Sequence, residues 1–186
     1  MVLARVAEDL IGADGLVIPG GESTTIAKLT GNTSDPIFDT IIDMASKGMP
    51  VYGTCMGLIF LAKNIEGSAQ GRLGLMDISV RRNAFGPQKF SREEAVHIPA
   101  LGAESFPLVF IRGPIILSAD HKSVDVFASV EEGIVMCRQK NLLATAFHPE
   151  LTNDLRVHKY FLSMVAEYLD MKSCQLRSGS LQLASL

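Results

Sequence analysis

Val51-Tyr52-Gly53-Thr54-Cys55-Met56-Gly57-Leu58-Ile59 is an apolar run interrupted by a G-x-C-x-G turn. A strand ends, one side chain stands on a sharp bend, and an apolar helix begins, which is the pattern of a nucleophile elbow. The flanking glycines permit the tight backbone, and the start of a helix favours a thiolate over a thiol. A cysteine in an apolar stretch is more often buried and inert. What decides between the two lies nearly a hundred residues downstream.

There the chain reads Ala144-Thr145-Ala146-Phe147-His148-Pro149-Glu150, a short apolar strand ending in a histidine with a glutamate two positions on. In extended backbone, residues i and i+2 point the same way, so His148 and Glu150 can share a side. Pro149 restricts its predecessor to extended geometry and helps to aim the imidazole. A cysteine–histidine pair needs a carboxylate to hold the ring in one tautomer, and Glu150 is placed to do this. Cys55, His148 and Glu150 together read as an acyl-transfer triad.

A third stretch, Leu16-Val17-Ile18-Pro19-Gly20-Gly21-Glu22-Ser23-Thr24-Thr25, runs a buried-type strand into Pro-Gly-Gly and then opens a helix. Two glycines let backbone N–H groups approach a ligand closely, as an oxyanion hole requires. By itself the stretch reads more readily as a strand-to-helix turn with a Ser or Thr cap.

Around these stretches, strand-like and helix-like segments alternate, which predicts an α/β fold with a largely parallel central sheet. Asp35-Pro36 opens a helix carrying Ile37, Phe38, Ile41, Ile42 and Ala45 at helical spacing, and Gly48 ends it. Further strands are expected at Val51–Gly53, Leu75–Arg82, Leu108–Arg112, Gly133–Arg138 and Leu142–Phe147, with a loop-rich region from Ala84 to Pro107. A last helix over about Asn153–Leu169 presents Val157, Tyr160, Phe161, Met164, Val165, Tyr168 and Leu169 as a core stripe. Residues 1–170 read as one domain and 171–186 as a poorly ordered tail.

The chain has 186 residues, 47% of them hydrophobic, and a net charge of −3. It is long enough for a sizeable core, and the charge argues against nucleic acid as a partner. No uncharged apolar run reaches the ~18 residues of a membrane span, and no signal peptide is evident. Cys55, Cys137 and Cys174 are an odd number without metal-like spacing, which suggests a reducing, cytoplasmic compartment. The four histidines are scattered, so no metal site and no cofactor are expected.

Five segments then occur in order: Pro19-Gly20-Gly21-Glu22-Ser23-Thr24-Thr25, Gly53-Thr54-Cys55-Met56-Gly57-Leu58-Ile59, Arg82-Asn83-Ala84-Phe85-Gly86, Phe110-Ile111-Arg112 and Ala146-Phe147-His148-Pro149-Glu150-Leu151-Thr152. Over about residues 9–169 the chain resembles the glutaminase subunits of pyridoxal 5′-phosphate synthases, which are triad-type class I glutamine amidotransferases. The G-x-C-x-G and His-Pro-Glu motifs belong to the whole class, while the other three segments point to the vitamin B6 branch.

The resemblance implies a three-layer, flavodoxin-like fold and hydrolysis of L-glutamine to glutamate and ammonia. It implies Cys55 as nucleophile, His148 as general base and Glu150 as its orienting group. Gly21, Glu22, Ser23, Arg82, Ile111 and Arg112 would bind glutamine, with the backbone N–H groups near Gly21 and Met56 as oxyanion hole. The implied partner is a pyridoxal 5′-phosphate synthase subunit, joined in a hetero-oligomer with an ammonia channel.

Two departures accompany the likeness. The family begins with a Gly-Val-Leu-Ala-Leu-Gln-Gly-like strand and a helix, whereas this sequence starts Met1-Val2-Leu3-Ala4-Arg5, so the opening strand and helix are expected to be missing. Pro87 and Lys89-Phe90-Ser91 also replace the usual sequence after Phe-Gly. Two other readings therefore stand beside the first: a truncated, non-catalytic or regulatory subunit, and a glutaminase of another amidotransferase.

Overall fold

The computed structural model describes residues 2–21, 35–84 and 92–183, with side chains described as far as residue 174. The described strands are β1 (Leu16–Ile18), β2 (Val51–Thr54), β3 (Ala62–Ile65), β4 (Met76–Arg81), β5 (Arg92–Val96), β6 (Phe106–Phe110), β7 (Ile115–Ala119), β8 (Asp125–Val130), β9 (Gly133–Gln139) and β10 (Leu142–Thr145). The described α-helices are α1 (Pro36–Ser46), α2 (Met56–Leu61) and α3 (Arg156–Leu183), and the helix expected to open at Glu22-Ser23-Thr24 lies outside the described residues.

One sheet runs in the order β1-β2-β10-β9-β7-β4-β3, with β8 also paired to β9. Its β1-β2-β10 end is parallel, with Ile18 opposite Gly53 and Thr145 opposite Thr54. The α/β class with helices flanking the sheet is as expected, but the sheet is mixed rather than largely parallel. From β4 through β7 and β9 to β10 every pairing is antiparallel. The cause is the connections: β9 reaches β10 through only Lys140-Asn141, and a join that short permits only an antiparallel hairpin. Lys140 takes the left-handed conformation such a turn requires, at φ 55°.

β2 and β10 are buried along their whole length, which explains why both read as unbroken apolar runs. α1 begins as the sequence predicts. The Asp35 carboxylate accepts from the Ile37 N–H at 3.0 Å with Pro36 in the first turn, and Gly48 follows the helix at φ +94°. Its core face is Ile37, Phe38, Ile41 and Ala45. Phe38 meets the Phe60 ring edge-on at 5.1 Å, which seats α1 against α2. The Asn141 amide donates to the Ala45 and Met49 carbonyls at 2.9 and 2.8 Å, so the β9–β10 turn closes the end of α1.

Several segments depart from the sequence reading. Residues 92–96, expected within a loop, form β5, which pairs antiparallel with β6 as a separate two-stranded sheet. Arg92-Glu93-Glu94 has no apolar alternation to announce a strand. Its register is held by β6, whose Phe106, Leu108 and Phe110 are fully buried. β3, β7 and β8 likewise have no counterpart in the sequence reading. α3 buries Val157, Phe161 and Met164 as expected, with Phe161 against Tyr52 at 5.6 Å, but Leu169 is 38% exposed. The helix also continues past Leu169 into the segment read as a poorly ordered tail. Nothing between Leu169 and Gly179 breaks it, since that stretch holds neither proline nor glycine.

Replacing the α1 cap by Asp35→Ala should cost ~1 kcal/mol. Thermal unfolding should report this as a Tm lower by roughly 2–4 °C, and an unchanged Tm would remove the cap from the account.

Candidate active site

Cys55 stands between β2 and α2 with φ 52° and ψ −103°, a conformation that non-glycine residues rarely adopt. Its backbone N–H donates to the Thr145 carbonyl at 2.8 Å, so the bend is tied to the end of β10. The glycines on either side are required by close packing. A Cβ at Gly57 would overlap the Ile18 carbonyl, and one at Gly53 would lie 2.5 Å from the Gly57 carbonyl. Met56 opens α2, and the first N–H groups of a helix have no intrahelical acceptor.

His148 lies beyond β10 and is only 8% exposed. Its N–H donates to the Val109 carbonyl of β6 at 2.8 Å, and the Phe147 ring packs against Phe106 and Phe110 at 5.8 and 6.2 Å. Nδ1 of His148 lies 2.8 Å from Oε1 of Glu150. The two residues do meet as the i, i+2 spacing suggests, though not through extended backbone. A single 3-10 turn at Pro149–Leu151 folds the carboxylate back onto the ring. With Glu150 accepting from Nδ1–H, the other ring nitrogen is the one left for the thiol.

Gly20 shows how closely the three stretches converge. A Cβ there would fall 2.6 Å from Cε1 of His148 and 2.9 Å from Cβ of Cys55. The Pro-Gly-Gly, Gly-x-Cys-x-Gly and His-Pro-Glu segments therefore meet at one point. Gly21 follows at φ +93°, so it is glycine for its backbone rather than for lack of room. Glu22 and Ser23, expected to line a substrate pocket, lie outside the described residues.

The electrostatics follow from these contacts. Hydrogen bonds to the Cys55 sulfur and then to the Glu150 carboxylate, with the attraction of both groups, raise His148 from 6.5 to about 9 against the opposing effect of burial. Partial burial pushes the Glu150 carboxyl up. The His148 hydrogen bond, a backbone N–H and the charges of His148 and His158 outweigh it, so the group titrates below the usual carboxylate range. Cys137 is different: burial pushes its thiol up to about 12, which makes it a core residue rather than a nucleophile.

Arg82 and Arg112 occupy two loops that the structure joins, since the Ala84 N–H donates to the Gly113 carbonyl at 3.1 Å. Arg82 follows the end of β4 and bonds the Gln70 amide oxygen at 2.7 Å. Arg112 sits just past β6 at φ 48°, and Ile111 beside it is 43% exposed. Neither guanidinium pairs with a carboxylate among the described residues. Sequence reasoning overlooked the steric role of Gly20 and the hydroxyls of Thr54 and Thr145. Gly20 had a signal in its motif, whereas a threonine in an apolar strand announces nothing.

Comparison with known proteins gives the family and the fold. Residues 2–167 match the SNO glutamine amidotransferase family. The pyridoxal 5′-phosphate synthase subunit PdxT of Carboxydothermus hydrogenoformans is 52% identical over 167 residues, covering 89% of this chain and 85% of the relative. PdxT of Pelotomaculum thermopropionicum is 54% identical, covering 87% and 81%. A solved structure of a glutamine amidotransferase superposes with a TM-score of 0.79 at 43% identity, covering 88% of this chain and 85% of the other. A putative GMP synthase protein from Thermoplasma acidophilum, 17% identical with a TM-score of 0.59 and coverage of 90% and 80%, shares the fold.

Two outcomes are expected of this arrangement. His148 binds its proton more tightly when folded, so the stabilisation is full below pH ~6.5 and is lost as pH rises through about 9. Denaturant titrations should show the stability advantage of the wild type over His148→Gln shrinking across that window. Gly20→Ala should displace the imidazole and slow alkylation of Cys55 by iodoacetamide at least ~10-fold, read by mass spectrometry of the Cys55 peptide.

Proposed function

Because the chain belongs to the SNO glutamine amidotransferase family, we propose that it hydrolyses L-glutamine and supplies the ammonia to a pyridoxal 5′-phosphate synthase, using Cys55, His148 and Glu150 as its triad. The observation that carries this reading is the convergence on Gly20, where thiol-bearing elbow and imidazole leave no room for a methyl group. Relatives at 52% and 54% identity are pyridoxal synthase subunits, which favours this reading over a glutaminase for histidine or nucleotide synthesis.

His148 takes the proton of the Cys55 thiol, and its raised proton affinity keeps it there. The thiolate attacks the side-chain carbonyl carbon of glutamine. Backbone N–H groups at Gly21 and Met56 stabilise the oxyanion, a contribution of ~100–1000-fold for one such donor. His148 then returns the proton to the departing nitrogen, the C–N bond breaks, and ammonia leaves a glutamyl thioester on Cys55. Water attacks the thioester and gives a proton to His148, which passes it to the sulfur as the C–S bond breaks and glutamate is released. Throughout, Glu150 holds Nδ1 and so keeps the ring in the tautomer that faces the sulfur.

Gly21, Glu22, Ser23 and Ile111 would shape the glutamine pocket. Arg82 and Arg112, both exposed and unpaired with carboxylates among the described residues, suit the α-carboxylate, which a planar guanidinium meets through two parallel hydrogen bonds. Ammonia released into water would be protonated and lose its nucleophilicity. The product is therefore delivered through a closed path into a synthase subunit docked as a hetero-oligomer, in the cytoplasm.

The test is glutamate production by the purified chain with and without a synthase partner. Cys55→Ala should abolish hydrolysis while leaving partner binding intact. Glu150→Gln should lower kcat by ~100–10,000-fold, since it leaves the histidine in place but without its orienting charge. Turnover retained by Cys55→Ala would overturn the triad.

A further inference from the structure

The parallel ladder of β2 and β10 stops at the pair Thr54–Thr145, because the next residue, Cys55, turns away at φ 52°. Beyond that point the two chains have to be held together by something other than strand pairing. Two bonds do it. The Cys55 N–H donates to the Thr145 carbonyl at 2.8 Å, and the Thr54 hydroxyl donates to the Phe147 carbonyl at 2.8 Å. That same carbonyl accepts a second hydroxyl, from Thr145 at 3.2 Å. The Tyr52 hydroxyl lies 2.8 Å from the Thr145 oxygen and donates to it, because the Thr145 proton is directed at Phe147.

All three side chains are enclosed, with Tyr52 2%, Thr54 3% and Thr145 0% exposed. Burial pushes the Tyr52 hydroxyl well above its ordinary range, so it remains a donor at any working pH. The group they hold is the peptide between Phe147 and His148. Its carbonyl is fixed by Thr54 and Thr145 and its N–H by the Val109 carbonyl. A peptide plane bonded at both ends has little freedom to rotate, and the direction of the His148 side chain is set by that plane.

We propose that Thr54 and Thr145 are positioning residues, whose hydroxyls lock the peptide bearing His148 to the elbow bearing Cys55 and so set the distance between imidazole and thiol. Thr54 directly precedes the nucleophile, and its bond spans 93 residues to the residue directly preceding the base. One hydroxyl thus joins the two halves of the site one step beyond the last backbone bond, that of Cys55 to Thr145. The inference rests on the roles given above to Cys55 and His148.

The experiment compares wild type, Thr54→Val, Thr54→Ser and Thr145→Val in two assays. One is glutamine hydrolysis by the chain with its synthase partner. The other is alkylation of Cys55 by iodoacetamide, followed peptide by peptide with exposed Cys174 as internal reference. Valine keeps the branched shape and removes only the donor. Thr54→Val should lower kcat about tenfold, part of the ~100-fold that a 1 Å misplacement costs, with KM for glutamine within about twofold. Cys55 alkylation should slow in parallel while Cys174 is unaffected, and Thr54→Ser should restore both rates.

A hydroxyl that only satisfied a buried carbonyl would lower Tm without moving kcat or the Cys55 rate, and that result would overturn the proposal. Equal losses in Thr54→Val and Thr54→Ser would also overturn it, by making the methyl group the relevant part. Thr145→Val removes the other donor and must show the same signature, which keeps the idea testable should Thr54→Val not fold. If the wild type fails to hydrolyse glutamine, it is the glutaminase reading that falls. The alkylation rates then still decide whether the hydroxyls set the pairing of Cys55 with His148.

Discussion

The close approach of three backbone segments around Cys55 is the constraint on which the rest of the structure depends. The carbonyl of Ile18 occupies the space that a side chain at residue 57 would need, and Gly20 lies against both Cys55 and His148. Segments this close leave a strand end, an elbow and a second strand end no freedom to slide past each other. The register of β1 on β2 and of β2 on β10 is accordingly the register that superimposes thiol and imidazole. Any larger residue at positions 20, 53 or 57 would separate these segments and the two reactive groups together.

This arrangement carries strain that the surrounding packing offsets. Of the four non-glycine residues with positive φ among the described residues, Cys55, Asn83 and Arg112 lie in the motifs of the proposed site. Each such conformation costs of order 1–3 kcal/mol, comparable with a sizeable part of the ~5–15 kcal/mol that holds a domain folded. Opposing it are the aromatic contacts of Tyr52 with Phe161 and of Phe147 with Phe106 and Phe110. Buried polar groups add to the support where they are satisfied. Gln139 illustrates this, accepting from the Asp77 N–H and donating to its carboxylate at 2.7 Å each.

Much of the candidate site was legible because its chemistry is local. Gly-x-Cys-x-Gly and His-Pro-Glu each fit within a single turn, so spacing alone marked Cys55, His148 and Glu150 as candidates. The fold was legible where periodicity was strong, in α1 and in the buried strands β2 and β10. It was obscure at β3, β5, β7 and β8, which are short, partly exposed and paired by partners distant in sequence or by hairpins. A strand such as Arg92-Glu93-Glu94-Ala95-Val96 takes its conformation from β6, and no window of sequence contains that information.

The sequence by itself therefore determined the α/β class, the family to which the chain belongs, and which segments to look for at the candidate site. Local backbone preference and side-chain type are written residue by residue. Only the tertiary structure decided that the sheet is mixed, that a 3-10 turn rather than a strand brings Glu150 to His148, and that Thr54 and Thr145 share one carbonyl. Those are relations between segments far apart in the chain. Hydrogen-bond geometry and the exclusion of overlapping atoms settle them once the segments are brought together.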